Sequence, residues 1–134
     1  TEEGGTFTDV SAEAGIYRSH IGYGLGVNTS DINNDGYPDI YISNDFHEND
    51  YLYINMGDGT FAERLTEMIG HTSRSSMGND VSDFNNDALP DIMVLDMVAE
   101  DNRRLKANLG GLDLKRFRLS IELGFHHQYI LKWP

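Results

Sequence analysis

Two stretches of the chain decide its fold: residues 26–43 read GVNTSDINNDGYPDIYIS, and residues 78–95 read GNDVSDFNNDALPDIMVL. They lie 52 residues apart, and 9 of their 18 aligned positions are identical. A second, shorter match relates residues 5–9 to residues 59–63 at an offset of 54. A repeat period of about fifty residues is typical of blade-type and solenoid architectures. The sequence therefore predicts repeated structural units.

Strand patterns surround the first stretch. Residues 39–43 and 50–54 alternate in the way that strands do and are rich in aromatic and β-branched side chains. Asp58-Gly59 is typical of a tight hairpin turn, and short strands over residues 25–30 and 60–64 complete a set of four. Four short antiparallel strands in about forty residues make one blade of a β-propeller. We predict such a blade at residues 24–64.

The remaining residues are interpreted as parts of neighbouring blades within a single partial propeller unit. Residues 5–10 are predicted to form the fourth strand of a preceding blade. Residues 78–131 are predicted to form a three-stranded blade, with its third strand at 128–131. Helical spacing of apolar residues and a fitting stop at Gly124 predict a two-helix insertion at 100–123. The predicted fold class is mainly β, with about two propeller-type blades and this insertion.

Each repeat centres on an acidic loop with oxygen-bearing side chains at positions 1, 3, 5 and 9. Alternate side chains of a tightly curled loop converge, and the backbone carbonyl at position 7 adds an oxygen. Calcium takes about six to eight oxygen ligands. We predict two calcium sites, with these ligands: Asp31, Asn33, Asp35, Asp39 and the Tyr37 carbonyl in the first loop, and Asp83, Asn85, Asp87, Asp91 and the Leu89 carbonyl in the second.

The loops admit two other interpretations. An EF-hand requires a glutamate at position 12, where Ile42 and Val94 stand, and flanking helices instead of strands. A plain polar turn remains open, because Asp, Asn and Gly are common turn formers. The second loop has Ala88 where the first has Gly36, and a left-handed backbone costs alanine about 1 kcal/mol. The second site is therefore expected to be weaker or reshaped.

The charge is unevenly distributed. The chain has 22 acidic and 10 basic residues and no cysteine. Residues 1–102 hold 20 acids and 3 bases, whereas residues 103–134 hold 2 acids and 7 bases. The acidic part disfavours nucleic acid and anionic lipid as partners. No apolar run reaches the roughly 18 residues of a membrane span. The lack of cysteine excludes disulfides and thiolate metal sites.

No catalytic site is predicted. Residues 45–50 combine His47 with acidic side chains, which could indicate a transition-metal site, but a solvated loop is the simpler interpretation. Ser75 and Ser76 lie near His71 in the sequence without the Gly-x-Ser-x-Gly motif of a hydrolase. The protein is therefore expected to bind ligands without performing catalysis.

The sequence resembles the FG-GAP/VCBS-type repeats of calcium-binding β-propellers, as in integrin α-subunit heads and secreted bacterial relatives of cartilage acidic protein. The resemblance rests on the two Asp-x-Asn-x-Asp-x-x-Pro-Asp loops, on NMGDGTF at 55–61, on FTDV at 7–10 and on SMGND at 76–80. It implies a propeller, calcium in the loop that joins the first two strands of a blade, and a secreted, cell-surface or periplasmic location. It implies no particular substrate.

Two functions from different classes follow from these observations. The first is a calcium-binding module for extracellular or periplasmic binding, adhesion or assembly, with a protein or carbohydrate ligand. The alternative is a scaffold part of a larger propeller enzyme that acts on carbohydrate or phosphoester substrates. Two blades leave strand edges unpaired. We expect either a head-to-tail homo-oligomer, in which three or four chains close a ring, or a processed piece of a longer chain.

Overall fold

The computed structural model describes residues 5–46 and 48–97, together with Lys115, Arg118, Leu119 and residues 122–124. Between residues 5 and 97 the chain forms six strands and one short helix, in the order β1 (Gly24–Ser30), β2 (Asp39–Asn44), β3 (Tyr51–Asn55), β4 (Phe61–Glu63), α1 (Leu65–Met68), β5 (Ser76–Ser82) and β6 (Asp91–Asp96).

The first four strands form one antiparallel sheet in the order β1-β2-β3-β4. Each strand pairs with its neighbour in the sequence, with Val27 opposite Ile42 and Tyr41 opposite Leu52. The turn between β3 and β4 contains Gly57 and Gly59, both with positive φ. This meander is the architecture of a propeller blade. The predicted mainly β fold class is confirmed.

The second sheet repeats the inner half of the first. Strands β5 and β6 pair antiparallel, with Asn79 opposite Val94. The register of β1 with β2 shifts between Gly24 and Gly26, and the register of β5 with β6 shifts between Ser76 and Gly78. These two irregularities lie 52 residues apart, the same offset as the sequence repeat. The two stretches are therefore repeats in structure as well as in sequence.

The hydrophobic core lies between the two sheets. Tyr41, Leu52 and Ile54 of the first sheet are buried together with Leu65 of α1. Ile69, Ile92 and Val94 are among the partly buried side chains that pack against them. Full burial of a side chain such as Leu52, which has no exposed surface, contributes about 1.5–3 kcal/mol. This packing places β6 against the face of the first blade.

The segment before β1 packs on the opposite face of the first sheet. Because side chains alternate along β3, Tyr51 and Tyr53 point away from Leu52. The Tyr17 amide donates to the Tyr53 hydroxyl (3.2 Å), and the rings of Tyr17 and Tyr51 meet edge to face. Gly15 has a φ of +74°, and a Cβ there would lie 2.6 Å from the carbonyl oxygen of Phe61. Glycine is therefore required at this contact.

Three predicted segments lie at the edge of the described residues or beyond them. Residues 5–10 pair with no strand of the described part, and the predicted third strand at 128–131 lies outside it. Within the predicted insertion at 100–123, Lys115, Arg118, Leu119 and Glu122 are helical, and the other residues are outside the described set except Leu123. These boundaries stay predictions. No helix among the described residues has the length and apolar character to cross a membrane.

Candidate metal centre

The first acidic loop, residues 31–39, is folded around its own backbone amides. The amide of Asp35 donates to Asp31 Oδ1 (2.9 Å) and to Asn33 Oδ1 (3.1 Å). The Gly36 amide donates to the other carboxylate oxygen of Asp31 at 2.8 Å. Both side chains therefore converge on the amide at position 5, as predicted for loop positions 1 and 3.

Asp35 itself extends this network in both directions. Its Oδ1 accepts from the Tyr37 amide at 2.9 Å, and its Oδ2 accepts from Asn33 Nδ2 at 2.8 Å. The three side chains at positions 1, 3 and 5 are thus joined through hydrogen bonds within the loop. Tyr37, whose carbonyl is the predicted backbone ligand, is half exposed.

Asp39 is placed differently from the other predicted ligands because it is fully buried. Its Oδ2 accepts from the Ile32 amide (2.9 Å), and its Oδ1 accepts from the Asn55 amide (2.8 Å). The carboxylate therefore ties the start of the loop to the end of β3. Within the described geometry, Asp39 is a structural anchor of the loop.

The second loop, residues 83–91, repeats this arrangement. Asp83 Oδ1 and Asn85 Oδ1 both accept from the Asp87 amide, at 3.0 and 2.9 Å. Asp87 Oδ1 accepts from the Leu89 amide at 2.9 Å. Asp91 Oδ2 accepts from the Phe84 amide at 3.0 Å, as Asp39 does from Ile32. The two loops are one motif used twice.

The loop backbones also agree in conformation. Positions 4 and 6 have positive φ in both copies, with Asn34 at 60°, Gly36 at 91°, Asn86 at 62° and Ala88 at 67°. Ala88 therefore adopts the left-handed backbone that the sequence comparison with Gly36 led us to expect. The second loop is not reshaped, and it bears the conformational cost of an alanine at this position.

The donor chemistry of the loops fits a hard cation. A carboxylate offers about four lone-pair directions, so an oxygen that accepts one amide proton can still bind a metal. At the predicted ligand positions the side chains offer carboxylate and amide oxygens, and calcium prefers oxygen ligands. Among the residues that the structure describes, however, no three His, Asp or Glu side chains are gathered into a group able to hold a metal ion. The predicted acidic ligands therefore lie along each loop without closing around a point.

The loop after β2 corrects one interpretation from the sequence. Asp45 and Asp50 are buried, with 6% and 0% of their surface exposed, so a solvated loop is wrong for these two residues. His47 lies outside the described residues. Asp45 caps the amide of Phe46 at 2.8 Å. The acidic side chains of this loop thus have structural partners.

Asp50 is a polar junction that the sequence did not indicate. Its carboxylate accepts from the Tyr41 hydroxyl (2.7 Å), the Asn44 amide (2.8 Å) and the Ser76 hydroxyl (3.1 Å). Burial, together with the negative charge of Asp50, raises the pKa of Tyr41 above its ordinary value. Because Ser76 belongs to β5, the junction joins the two sheets. Asp50 is part of only one repeat, so no repeated motif marked it.

The described residues contain no hydrolase triad around Ser75 and Ser76. The Ser76 side chain is buried, and its hydroxyl is engaged by Asp50. His71 is exposed and makes no hydrogen bond to either serine. The sequence had already disfavoured this chemistry for lack of the nucleophile motif.

The fold and the two loops define a class of protein: propeller-type blades that carry paired acidic loops. Comparison with protein families agrees, because residues 31–94 match the model of the FG-GAP-like repeat. The matched residues run from the first acidic loop to β6, so this part of the chain is similar to an FG-GAP-like repeat. Searches of curated proteins and of solved structures found no match.

Proposed function

We propose that the chain is a calcium-binding segment of a β-propeller and serves as an extracellular or periplasmic binding module. Asp31, Asn33, Asp35, Asp39 and the Tyr37 carbonyl would hold one ion. The equivalent residues of the second loop would hold another: Asp83, Asn85, Asp87, Asp91 and the Leu89 carbonyl. Bound calcium would supply positive charge that holds the loop carboxylates together.

One observation carries this proposal: the same hydrogen bonds from backbone amides to ligand side chains occur in both loops. Positions 1 and 3 share the amide at position 5 in each copy, at distances of 2.9–3.1 Å. A plain turn needs one or two such capping bonds, whereas each of these loops directs two oxygen-bearing side chains at the same amide. Unneutralised carboxylates at short range repel one another. We therefore expect calcium to relieve this repulsion and to tighten both loops.

The proposal is tested by terbium, a luminescent substitute for calcium. Tyr37 occupies position 7 of the first loop and can transfer excitation energy to a bound ion, whereas the second loop has Leu89 there. We expect terbium emission on tyrosine excitation, and we expect Tyr37→Phe to remove most of it. Calcium should compete with terbium for the site. A chain that gives no sensitised emission, or emission that calcium does not displace, would argue against the first site.

The extracellular or periplasmic location rests on the repeat family, whose members are typically extracellular. The binding role rests on the acidic loops. A binding assay with the calcium-loaded protein, run beside a panel of carbohydrate and phosphoester substrates, would separate this role from the enzyme alternative.

The second sheet offers a surface for another blade. Ile92 and Val94 face the core, so Met93 and Leu95 point the other way, where they are 46% and 63% exposed. We propose that a further blade covers this face, supplied by another copy in a head-to-tail ring or by a longer parent chain. Light scattering in calcium distinguishes these two sources of the further blade, because a monomeric mass excludes a ring made of several copies.

A further inference from the structure

An exposed aromatic pair lies at the end of the first sheet opposite the acidic loop. Tyr23 immediately precedes β1 and Phe46 follows β2. Their rings meet edge to face, with centroids 5.3 Å apart and planes at 75°. Tyr23 is 57% exposed and Phe46 53% exposed. Large aromatic surface is thus held in a fixed arrangement in contact with solvent.

Phe46 is held in a conformation that side chains with a Cβ rarely adopt. Its φ is +72°, in the left-handed region that favours glycine. The surrounding backbone fixes it, because the Asp45 amide donates to the Tyr23 carbonyl at 3.0 Å and the Phe46 amide donates to Asp45 Oδ1 at 2.8 Å. A bulky residue kept in a strained conformation at an exposed position indicates a function of the side chain.

The repeat shows that this backbone contact does not require an aromatic residue at position 23. In the second copy the Met97 amide donates to the Ser75 carbonyl at 3.3 Å. This is the equivalent of the bond from Asp45 to Tyr23, at an offset of 52. The same backbone contact therefore forms with Ser75 in place of Tyr23. An aromatic residue at position 23 is a property of the first blade alone.

The pair lies in the acidic part of the chain. Glu48 follows Phe46 by two residues, and its Oε2 accepts from the Ser19 hydroxyl at 2.7 Å. Residues 1–102 hold 20 acids and only 3 bases. The faces of aromatic rings attract cations, and arginine guanidinium groups stack well on them. We propose that Tyr23 and Phe46 form a binding surface for a cationic side chain, arginine or lysine, of a protein partner. This deepens the proposed binding role but does not depend on calcium.

The probe is a capped tetra-arginine peptide titrated calorimetrically into the full chain at about 0.15 M salt, where long-range attraction is screened. Tyr23→Ala, Phe46→Ala and Phe46→Gly leave the net charge unchanged, so they alter only the aromatic surface. Each should weaken binding about fivefold or more. Phe46→Gly should melt a few degrees above Phe46→Ala, since glycine has no left-handed strain. If these two variants differ in melting temperature but lose binding equally, the loss of binding is not caused by unfolding.

Two controls complete the test. Phe7→Ala removes a ring that is 96% exposed and lies outside the pair, and it should leave binding unchanged. A capped tetra-citrulline peptide is neutral and should bind at least fivefold more weakly than tetra-arginine. Equal affinity for the two peptides, or unchanged affinity in the Tyr23 and Phe46 variants, would overturn the proposal. So would a glycan array in which neutral sugars bind and Phe46→Gly abolishes that binding.

Repeating the peptide titration in excess chelator separates the test of the aromatic surface from the test of calcium binding. If tetra-arginine binding depends on Phe46 while terbium emission is absent, only the calcium assignment fails. If terbium binds and the aromatic variants bind the peptide like the native chain, only this inference fails.

Discussion

Asn28 donates from Nδ2 to Asp80 Oδ1 across 3.3 Å, and the two residues occupy the same position in successive repeats. Asn28 lies on β1 opposite Tyr41, and Asp80 lies on β5 opposite Met93. The first strands of the two sheets are therefore neighbours. A Cβ added at Gly26 would lie 3.0 Å from the Gly78 Cα, so the strands approach closely there. This is how successive blades meet around a propeller axis.

The contact predicts a salt-dependent loss of stability in Asn28→Asp. The change would place a second carboxylate beside Asp80, and two like charges near 4 Å repel by roughly 1 kcal/mol in water. The free energy of unfolding in urea should fall at low salt and recover at about 1 M salt, where charges are screened within a few Å. A variant as stable as the native chain at low salt would contradict the neighbouring placement of β1 and β5.

The junction at Asp50 predicts a larger loss in Asp50→Asn. The native carboxylate accepts from Tyr41, Asn44 and Ser76 without any exposed surface. An amide NH₂ in its place would face a donor, at a cost of about 1–3 kcal/mol in the free energy of urea unfolding. Asp58→Asn is the matched control, since this exposed turn carboxylate caps Thr60 and an asparagine oxygen can do the same. Similar effects of the two substitutions would refute the junction.

The strain in the second loop predicts that Ala88→Gly is stabilising. Ala88 has a φ of +67°, and Gly36 has +91° at the equivalent position. Glycine should raise the free energy of unfolding by about 1 kcal/mol. The reverse change, Gly36→Ala, should lower it by a similar amount, because no atom within 4 Å would obstruct the added Cβ and only backbone strain acts. The two denaturation curves should give changes of opposite sign in the free energy of unfolding. A destabilised Ala88→Gly variant would show that the strain is absent.

Stability should also fall in alkaline solution. Burial raises the pKa of Tyr41 above its ordinary value of 10.0, and the charge of Asp50 adds to the effect. The folded chain therefore holds this phenol proton more tightly than the unfolded chain does. Its contribution is fully present below pH 10.0 and is lost as the pH rises above that value. Urea unfolding across this range should show a decline that Tyr41→Phe makes shallower. An identical slope in the variant would exclude Tyr41 as the cause.

The first sheet could be predicted from the sequence because its determinants are local. Alternation at residues 39–43 and the turn at Asp58-Gly59 indicate strands and a hairpin without reference to distant residues. The repeat then placed the second sheet, since β5 and β6 follow the same pattern 52 residues later. The observed strand bounds differ from the predicted ones by one or two residues.

The polar contacts between the sheets could not be predicted in the same way. Asp50 and Ser76 are 26 residues apart and belong to no common motif, so only the packing of the two sheets brings them together. The buried position of Asp39 was also missed, because a repeated acid in a polar loop gives no sign of which side chain turns inward. Phe46 gave no signal at all, since its left-handed backbone follows from the contacts of Asp45 and Tyr23.

The central claim is that the two acidic loops bind calcium, and a calorimetric melting scan tests it most directly. A ligand that binds only the folded chain raises its melting temperature. We predict a higher melting temperature in calcium than in excess chelator, and a smaller difference when Asp31→Asn and Asp83→Asn are combined. Each asparagine keeps one acceptor oxygen, for the Asp35 or the Asp87 amide, and loses the second acceptor, so the melting temperature of the variant in chelator measures the cost to the fold separately from the calcium effect. Identical melting in calcium and in chelator would contradict the account.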